Sequence, residues 1–281
     1  MHGRYLVCVL VPVVFAAACA ESAIDAAPEV VIATATTTVV HTTTLATPPQ
    51  PADYEGLVPT LFGVSMDGIV DTVPRQTGAA RTVALTFDGC GGPGGSGVDW
   101  EIIRTLHEFR VPATLFVSES WIEANPDTTR ELAADPLFRL ENHGTRHLPL
   151  TVNGRAAYGI HGTANPAEAM EEIEGNRKVL ASYGVDSTWF RAGTAHYDDI
   201  AVRIAGDKGA RIAGFGVNGD DGAQASPATV AARIVGAPDG AIVLAHFNHP
   251  GSGTAAGLRE ALTQLEGQDV RFVFLDGTGV S

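Results

Sequence analysis

Short, almost continuously apolar runs recur along the chain from residue 82 onward, and longer stretches with helical spacing of apolar positions separate them. The runs are rich in valine, leucine, threonine and phenylalanine, and a length of about five to seven residues is typical of strands buried on both faces. Strands are predicted over residues 82–87, 113–117, 139–143, 188–191, 211–217, 241–246 and 270–275.

Helix signals fill the intervals between these strands. The clearest lie around 166–182, where Asn165 is a favourable N-cap, Pro166 occupies the first helical position, Glu168 completes a capping pattern and Gly184 lies beyond the end. Further helices are predicted over residues 99–110, 128–134, 198–205, 227–235 and 254–265.

The order of these elements predicts the fold class. Buried strands that alternate with helices form a parallel sheet, because each helix carries the chain back to the edge where the next strand begins. Six or seven such units over about 220 residues fit a barrel better than a small open sheet. We therefore expect an α/β fold, a distorted (β/α) barrel of parallel strands, whose C-terminal strand ends meet at one mouth.

The N-terminal region shows neither pattern and predicts a targeting segment. In residues 1–20, Arg4 precedes an apolar run that Pro12 interrupts, which is typical of an export signal and is too short for the about 20 residues of a membrane span. The stretch 16–19 (AAAC) resembles a bacterial lipobox, so a lipid anchor at Cys19 and plain secretion both remain open. Either alternative predicts export, to the cell envelope or beyond it.

Residues 21–53 are rich in alanine, threonine and proline and offer no periodic apolar face. Such a composition predicts an extended linker rather than a packed element. The folded domain is expected over residues 54–281.

Composition and charge exclude several classes of protein. The 281 residues include 32 acidic and 18 basic side chains, giving a formal net charge of −14, with no basic cluster. A nucleic acid would be repelled by such a surface, so no nucleic-acid partner is expected. Three cysteines are too few for a disulfide-stabilised scaffold in a chain of this size. A content of 45% hydrophobic residues argues against general disorder.

Candidate metal ligands lie at the predicted strand ends. His143 and His147 are spaced i, i+4, so one turn of helix would place both imidazoles on the same side, and Asp88 ends another strand. Two imidazole nitrogens and a carboxylate suit a divalent metal, Zn²⁺ first. The predicted metal ligands are therefore His143, His147 and Asp88.

Several segments in the predicted domain also match the motifs of a known family, in the same order. They are Thr86-Phe87-Asp88-Gly89, His143-Gly144-Thr145-Arg146-His147, Phe190-Arg191-Ala192-Gly193, the region 218–221 and Leu244-Ala245-His246. On these residues, the chain from Thr82 onward resembles the polysaccharide deacetylase family, also called the NodB-homology domain or carbohydrate esterase family 4. The resemblance implies a distorted (β/α) barrel of the NodB-homology type.

The resemblance also implies an activity and roles for particular residues. It implies a metal-dependent hydrolase that removes N-acetyl groups, or O-acetyl groups in some relatives, from a cell-wall or extracellular polysaccharide. His143 and His147 would bind the metal, and Asp88 would be the general base. His246 would protonate the leaving amine, and Arg191 would orient the base through an ion pair. The expected partner is an acetylated glycan.

One position departs from the family pattern: Gly89 stands where the family has a second Asp, the third metal ligand. Asp88 itself, water molecules or another carboxylate could complete the site. Asp99 is better explained as an acid in the first turn of a helix, while Asp220 and Asp221 belong either to a turn or to the site. Cys90, next to Gly89, is better explained as a small residue in a tight turn than as a nucleophile.

Two other functions remain open. The loss of a ligand at Gly89 would suit a non-catalytic glycan-binding lipoprotein of the envelope. A metal-dependent amidohydrolase acting on small C–N bonds would instead need a lid, which the stretch 149–165 with Tyr158 and His161 could form. Release of acetate separates the first alternative from an enzyme, and substrate size separates the second. The oligomeric state stays open.

Overall fold

The computed structural model describes residues 48–280. The predicted signal segment 1–20, with Cys19, and most of the predicted linker 21–53 therefore lie outside the described residues. The strands in the described range are β1 Phe62–Gly63, β2 Ile69–Val70, β3 Arg81–Gly89, β4 Ala113–Val117, β5 Phe138–Asn142, β6 Trp189–Phe190, β7 Tyr197–Asp198, β8 Arg211–Ala213, β9 Val217–Asn218, β10 Ala241–His246 and β11 Val270–Phe272.

Seven α-helices accompany these strands in the described range. They are α1 Trp100–Phe109, α2 Glu119–Ala124, α3 Pro126–Ala134, α4 Pro166–Ser182, α5 Asp199–Asp207, α6 Pro227–Val235 and α7 Gly253–Leu265. A 3₁₀ turn, Pro51–Tyr54, precedes them, and the Tyr54 hydroxyl donates a hydrogen bond to Asp207 on α5. Between residues 48 and 280, every helix falls short of the length and apolar character needed to cross a membrane.

The main sheet is parallel and strongly curled. Its strand order is β2-β8-β6-β5-β4-β3-β10-β9, and β11 pairs with the N-terminal part of β3. Strands β8 and β9 lie near opposite edges of this order, yet only residues 214–216 join them. Two edges can be connected so briefly only if the sheet curls round to bring them together. The predicted α/β barrel of parallel strands is confirmed, as a curled half-barrel surrounded by helices.

Glycine allows the close approach at this junction. A Cβ atom on Gly214 would lie 2.6 Å from Cγ2 of Ile69 on β2, so no larger side chain fits there without a shift. The same junction corrects the predicted strand 211–217, which is two short strands, because the chain leaves one edge of the sheet and joins the other. Helix α2 was not predicted; it begins where the Ser118 hydroxyl accepts a hydrogen bond from the backbone N–H of Trp121.

Alternation along β3 decides which side chains reach the interior of the barrel. Val83, Leu85 and Phe87 pack in the large outer core, against the surrounding helices. Side chains of a strand alternate between its two faces, so the residues between them point to the inside. Thr86 and Asp88 accordingly lie in the interior, where the Thr86 hydroxyl donates a hydrogen bond to the carbonyl of Val243.

A buried carboxyl on β5 predicts a pH dependence of stability. Glu141 is 6% exposed, and burial raises its pKa from 4.5 to about 7, although Ser187 and two backbone N–H groups donate hydrogen bonds to it. Because the folded state holds the Glu141 proton more tightly than the unfolded chain does, protonation of Glu141 stabilises the fold. This stabilisation is complete below pH about 4.5 and is lost as the pH rises through about 7. The contribution of Glu141 to the free energy of unfolding should fall by about 3 kcal/mol across this window.

Chemical denaturation at several pH values tests this expectation in wild type and Glu141→Gln. The variant cannot titrate at this position, so its stability should lack that part of the decline. Glu131→Gln, at an exposed position on α3, should behave as wild type. Equal pH profiles for wild type and Glu141→Gln would contradict the prediction.

Candidate active site

A buried ion pair occupies the mouth of the barrel. Asp88, at the end of β3, accepts a hydrogen bond of 2.8 Å on Oδ1 from Nη1 of Arg191. The Arg191 side chain is fully buried, and three further N–H groups donate to Thr86 Oγ1 and to the carbonyls of Ala213 and Gly214. Together these hydrogen bonds hold the Arg191 guanidinium, and through it the Asp88 carboxylate, in one orientation.

The same pair sets the charge of the carboxylate. Burial alone would raise the pKa of Asp88, but the Arg191 guanidinium and the nearby imidazoles outweigh it and lower that pKa. Arg191 also stacks over the ring of Phe116, 4.3 Å from its centroid, which provides a favourable surface for a buried cation. Asp88 therefore stays ionised and is available to accept a proton.

His143 follows β5 and is held with one nitrogen facing the mouth. Its Nδ1 lies 2.8 Å from the carbonyl oxygen of Arg191. A carbonyl can only accept, so Nδ1 carries a hydrogen, and in the neutral ring the lone pair is on Nε2. That Nε2 lies 3.7 Å from Oδ2 of Asp88 and 3.8 Å from Sγ of Cys90.

His147 joins His143, although the predicted turn of helix between them is wrong. The segment is an irregular loop in which His147 has a φ of 60°. The loop is shaped by Glu172 on α4, whose buried carboxylate accepts hydrogen bonds from the backbone N–H groups of Arg146 and Leu148. The two imidazole centroids nevertheless lie 4.8 Å apart, as the spacing predicted.

His246 ends β10 and is bound to a buried carboxylate. Its Nδ1 donates to Oδ1 of Asp220 at 2.9 Å, and its backbone N–H donates to Oδ2 at 2.7 Å. Thr254 donates a third hydrogen bond to Asp220, which is fully buried. Burial disfavours the imidazolium, but Asp220 and, after it, Cys90 outweigh burial and raise the pKa of His246 well above its ordinary value. His246 is thus charged and oriented near neutral pH.

Two of the carboxylates considered from the sequence have other partners. Asp99 caps α1 by accepting the backbone N–H of Glu101, as expected for an acid at the start of a helix. Asp221 forms an ion pair with Arg233. Asp220 was considered only as a turn residue or a ligand, and its pairing with His246 was missed. The usable signal was an acid immediately after a strand end.

The sequence did not predict that Cys90 would lie beside the two histidines. Its Sγ and one nitrogen each from His143 and His147 all lie within 4.8 Å of one another. The Nε2 of His147 is buried and makes no hydrogen bond to any of the described residues. Cysteine and histidine donors at this separation fit a divalent cation. The prediction that Asp88 is a ligand stays a prediction, since its carboxylate is engaged by Arg191.

A pocket of about 460 Å³ opens above these groups. Asp88, Cys90, His147 and His246 line it together with Tyr158 and Ile160 from the stretch 149–165 and Phe215 from the junction between β8 and β9. The Tyr158 ring is 83% exposed and meets His196 edge to face, with centroids 5.2 Å apart. His161 is exposed and does not line the pocket.

Comparisons with known proteins place the sequence among polysaccharide deacetylases. Residues 75–213 match the sequence profile of the family described as "Polysaccharide deacetylase". The chain is 30% identical over 211 residues to peptidoglycan-N-acetylglucosamine deacetylase PgdA of Listeria monocytogenes, covering 74% of this chain and 40% of the relative. It therefore spans well under half the length of that curated relative.

Solved structures share the fold. A family 4 carbohydrate esterase from Streptomyces lividans, in complex with acetate, is similar with a TM-score of 0.59 and 21% identity, covering 72% of this chain and 98% of that chain. A CE4 family pseudoenzyme from Bacillus anthracis is similar with a TM-score of 0.56 and 21% identity, covering 69% and 64%.

Proposed function

Because the chain belongs to the polysaccharide deacetylase family, we propose that it is a metal-dependent hydrolase that removes acetyl groups from an acetylated glycan of the bacterial cell wall. The observation that carries this proposal is the pairing of a carboxylate with an imidazolium across one pocket. Asp88 and His246 lie at the same register of neighbouring strands β3 and β10, and each is held by a buried group of opposite charge.

The donors around the pocket fit the metal that the family requires. His143 and His147 would hold a divalent cation, and the orphaned, buried Nε2 of His147 is the kind of atom that such a cation satisfies. When bound, the cation would polarise the acetyl carbonyl and lower the pKa of a water molecule. Zn²⁺ is the proposed ion, because imidazole donors suit it.

Asp88 would act as the general base. Its carboxylate is ionised, lines the pocket and offers Oδ2, while Oδ1 is held by Arg191. A fixed, ionised carboxylate can accept the proton of the attacking water without a cost for reorienting. Arg191 is a positioning residue, since its side chain is fully buried and four of its five N–H groups donate hydrogen bonds within the protein.

His246 would act as the general acid. With Nδ1 bound to Asp220, the imidazolium presents Nε2–H as its remaining donor, and the ring lines the pocket. Donation of that proton to the amine nitrogen allows the C–N bond to break with a neutral amine as leaving group. Acid and base thus have distinct protonation states at the same pH, which is the arrangement that hydrolysis of an amide needs.

The rim of the pocket supports a sugar as the substrate. Tyr158 offers an exposed aromatic face, and Ile160 adds apolar surface beside it. Aromatic rings are suited to packing on the apolar faces of other rings while their polar edge stays hydrated. The expected export signal would bring the protein to the compartment where wall glycan is found.

Release of acetate from N-acetylated chito-oligomers tests the proposed function. Removal of the metal by a chelator should lower the rate by about 10²- to 10³-fold, because the cation contributes several kcal/mol to the transition state, and added Zn²⁺ should restore it. His161→Ala, at an exposed position outside the pocket, is the matched control and should retain activity.

Other outcomes would replace the proposal. Binding of the oligomers without release of acetate would favour a non-catalytic glycan-binding protein, which the glycine at position 89 leaves conceivable. Faster hydrolysis of small acetamides than of oligomers would favour a small-molecule amidohydrolase. Acetate release that is indifferent to chelator would remove the metal from the mechanism.

A further inference from the structure

We propose that the Cys90 thiolate is the third protein ligand of the divalent cation, replacing the carboxylate that the family places one residue earlier in the sequence. This inference rests on the proposed metal dependence of the site. It assigns a Cys-His-His donor set to Cys90, His143 and His147 and leaves Asp88 outside that set.

The distances among the three donors suit one ion. Cys90 Sγ lies 3.8 Å from His143 Nε2, and no pair of donors in the cluster is more than 4.8 Å apart. Around a tetrahedral zinc ion, with Zn–S of about 2.3 Å and Zn–N of about 2.0 Å, sulfur and nitrogen ligands lie about 3.5 Å from each other. Small side-chain rotations therefore bring all three donors to a common centre.

Both imidazoles already present a free nitrogen to this centre. The hydrogen bond from His143 Nδ1 to the carbonyl of Arg191 leaves Nε2 as the ligand atom, and such a bond is the usual way in which a metal-binding histidine is oriented. His147 Nε2 is buried without a hydrogen-bond partner among residues 48–280. A buried polar atom of this kind indicates that a ligand satisfies it.

Packing closes the position where the family has its carboxylate. A Cβ atom on Gly89 would lie 2.8 Å from Cε1 of Phe247 and 3.4 Å from Cδ2 of Trp121. Trp121 is fully buried, and its indole N–H donates to the carbonyl of Gly97, so it has little freedom to move. A side chain at position 89 would therefore have to displace the Phe247 ring, and the Trp121 ring already lies at contact distance beside it.

The next residue is held where its side chain reaches the histidines. The Ser118 hydroxyl donates a hydrogen bond of 2.7 Å to the carbonyl of Cys90. The chain then turns at Gly91 with a φ of 75°, where an added Cβ would lie 2.6 Å from the backbone nitrogen of Trp121. Only glycine fits this turn, and the turn fixes the backbone on which the thiol is carried.

A thiolate ligand separates two roles that the sequence alone assigned to one residue. Asp88 need not serve both as base and as ligand, because Arg191 holds its Oδ1 and the cation is completed by sulfur. A thiolate donor also favours Zn²⁺ over Mg²⁺ or Mn²⁺, which prefer oxygen. Binding displaces the thiol proton to solvent as the metal–sulfur bond forms.

Cobalt substitution of the full chain tests this ligand directly. Co²⁺ bound to a thiolate gives a near-ultraviolet sulfur-to-metal charge-transfer band, besides the weak visible bands of any tetrahedral Co²⁺ site. Wild type and Cys8→Ser/Cys19→Ser, which retains Cys90, should both show the charge-transfer band. Cys90→Ser should lose it, and its affinity for Zn²⁺, measured by competition with a chromophoric chelator, should fall by about 100-fold or more.

Cys90→Asp supplies the second variant, with an oxygen donor at the same position. It should bind Co²⁺ with visible bands and without the charge-transfer band. Visible bands in wild type without a charge-transfer band, or no Co²⁺ binding by wild type, would overturn the assignment of Cys90. Acetate release measured on the same samples keeps the two proposals separate, since a charge-transfer band in a protein that releases no acetate would refute the enzyme and not the ligand.

Discussion

Replacing Asp88 with Asn should lower the kcat/KM for acetate release by about 10²- to 10⁴-fold, the range that a general base contributes. Asn is nearly the same size and can still accept a hydrogen bond from Arg191, but it cannot take a proton from water. Because Cys90 completes the donor set in our proposal, the zinc stoichiometry of Asp88→Asn should remain that of wild type.

The same substitution leaves a buried cation without its counter-ion. Arg191 is fully buried, and breaking a buried ion pair by removing one partner costs about 3–5 kcal/mol. The neutral acceptor on Asn recovers part of this, so unfolding in urea should show a smaller loss for Asp88→Asn than for Asp88→Ala. A folded Asp88→Asn protein that retained near-normal activity would remove the residue from the mechanism, and loss of bound zinc would return Asp88 to the ligands.

Asp220→Asn should lower kcat for acetate release by about 10²-fold or more, through its effect on His246, the proposed general acid. Asp220 accepts hydrogen bonds from the backbone N–H and the Nδ1–H of His246 and from the Thr254 hydroxyl, whereas an amide can offer only one oxygen to these three donors. The imidazolium of His246 then no longer has the negative charge of a carboxylate beside it, and its protonated form is less stable.

The pH profile distinguishes this role from a merely structural one. Asp220 raises the pKa of His246, so its removal lowers that pKa, and the high-pH limb of kcat should move to lower pH. Asp127→Asn, at an exposed position on α3, is the matched control and should leave the profile unchanged. A reduced kcat with an unmoved high-pH limb would mean that Asp220 supports the fold and not the acid.

Local pattern was sufficient for much of the scaffold. The prediction for β4 has the bounds of the observed strand, and the predicted helices 166–182 and 227–235 coincide with α4 and α6. Strand alternation and helix caps depend on neighbours a few residues apart, so the sequence displays them directly. The barrel also follows from the order of elements.

Pattern was less reliable where the chain leaves regular structure. The spacing of His143 and His147 predicted two converging imidazoles through a turn of helix. They converge instead on a loop shaped by Glu172, which lies on α4 well beyond both histidines in the sequence. A local rule gave the correct neighbourhood here for the wrong reason, because the organising carboxylate is not local.

The sequence by itself determined which chemical groups end the strands: a carboxylate at Asp88, imidazoles at His143 and His246, and a guanidinium at Arg191. Only the tertiary structure decided how these groups are paired, since Arg191 and Asp88 are 103 residues apart and meet across a curled sheet. It alone placed Asp220 behind His246 and packed aromatic rings against Gly89, which leaves the Cys90 thiol beside the histidines. Contacts of this kind depend on the strand order and on the space that the packed core leaves. The spacing of residues along the chain reveals neither the strand order nor that space.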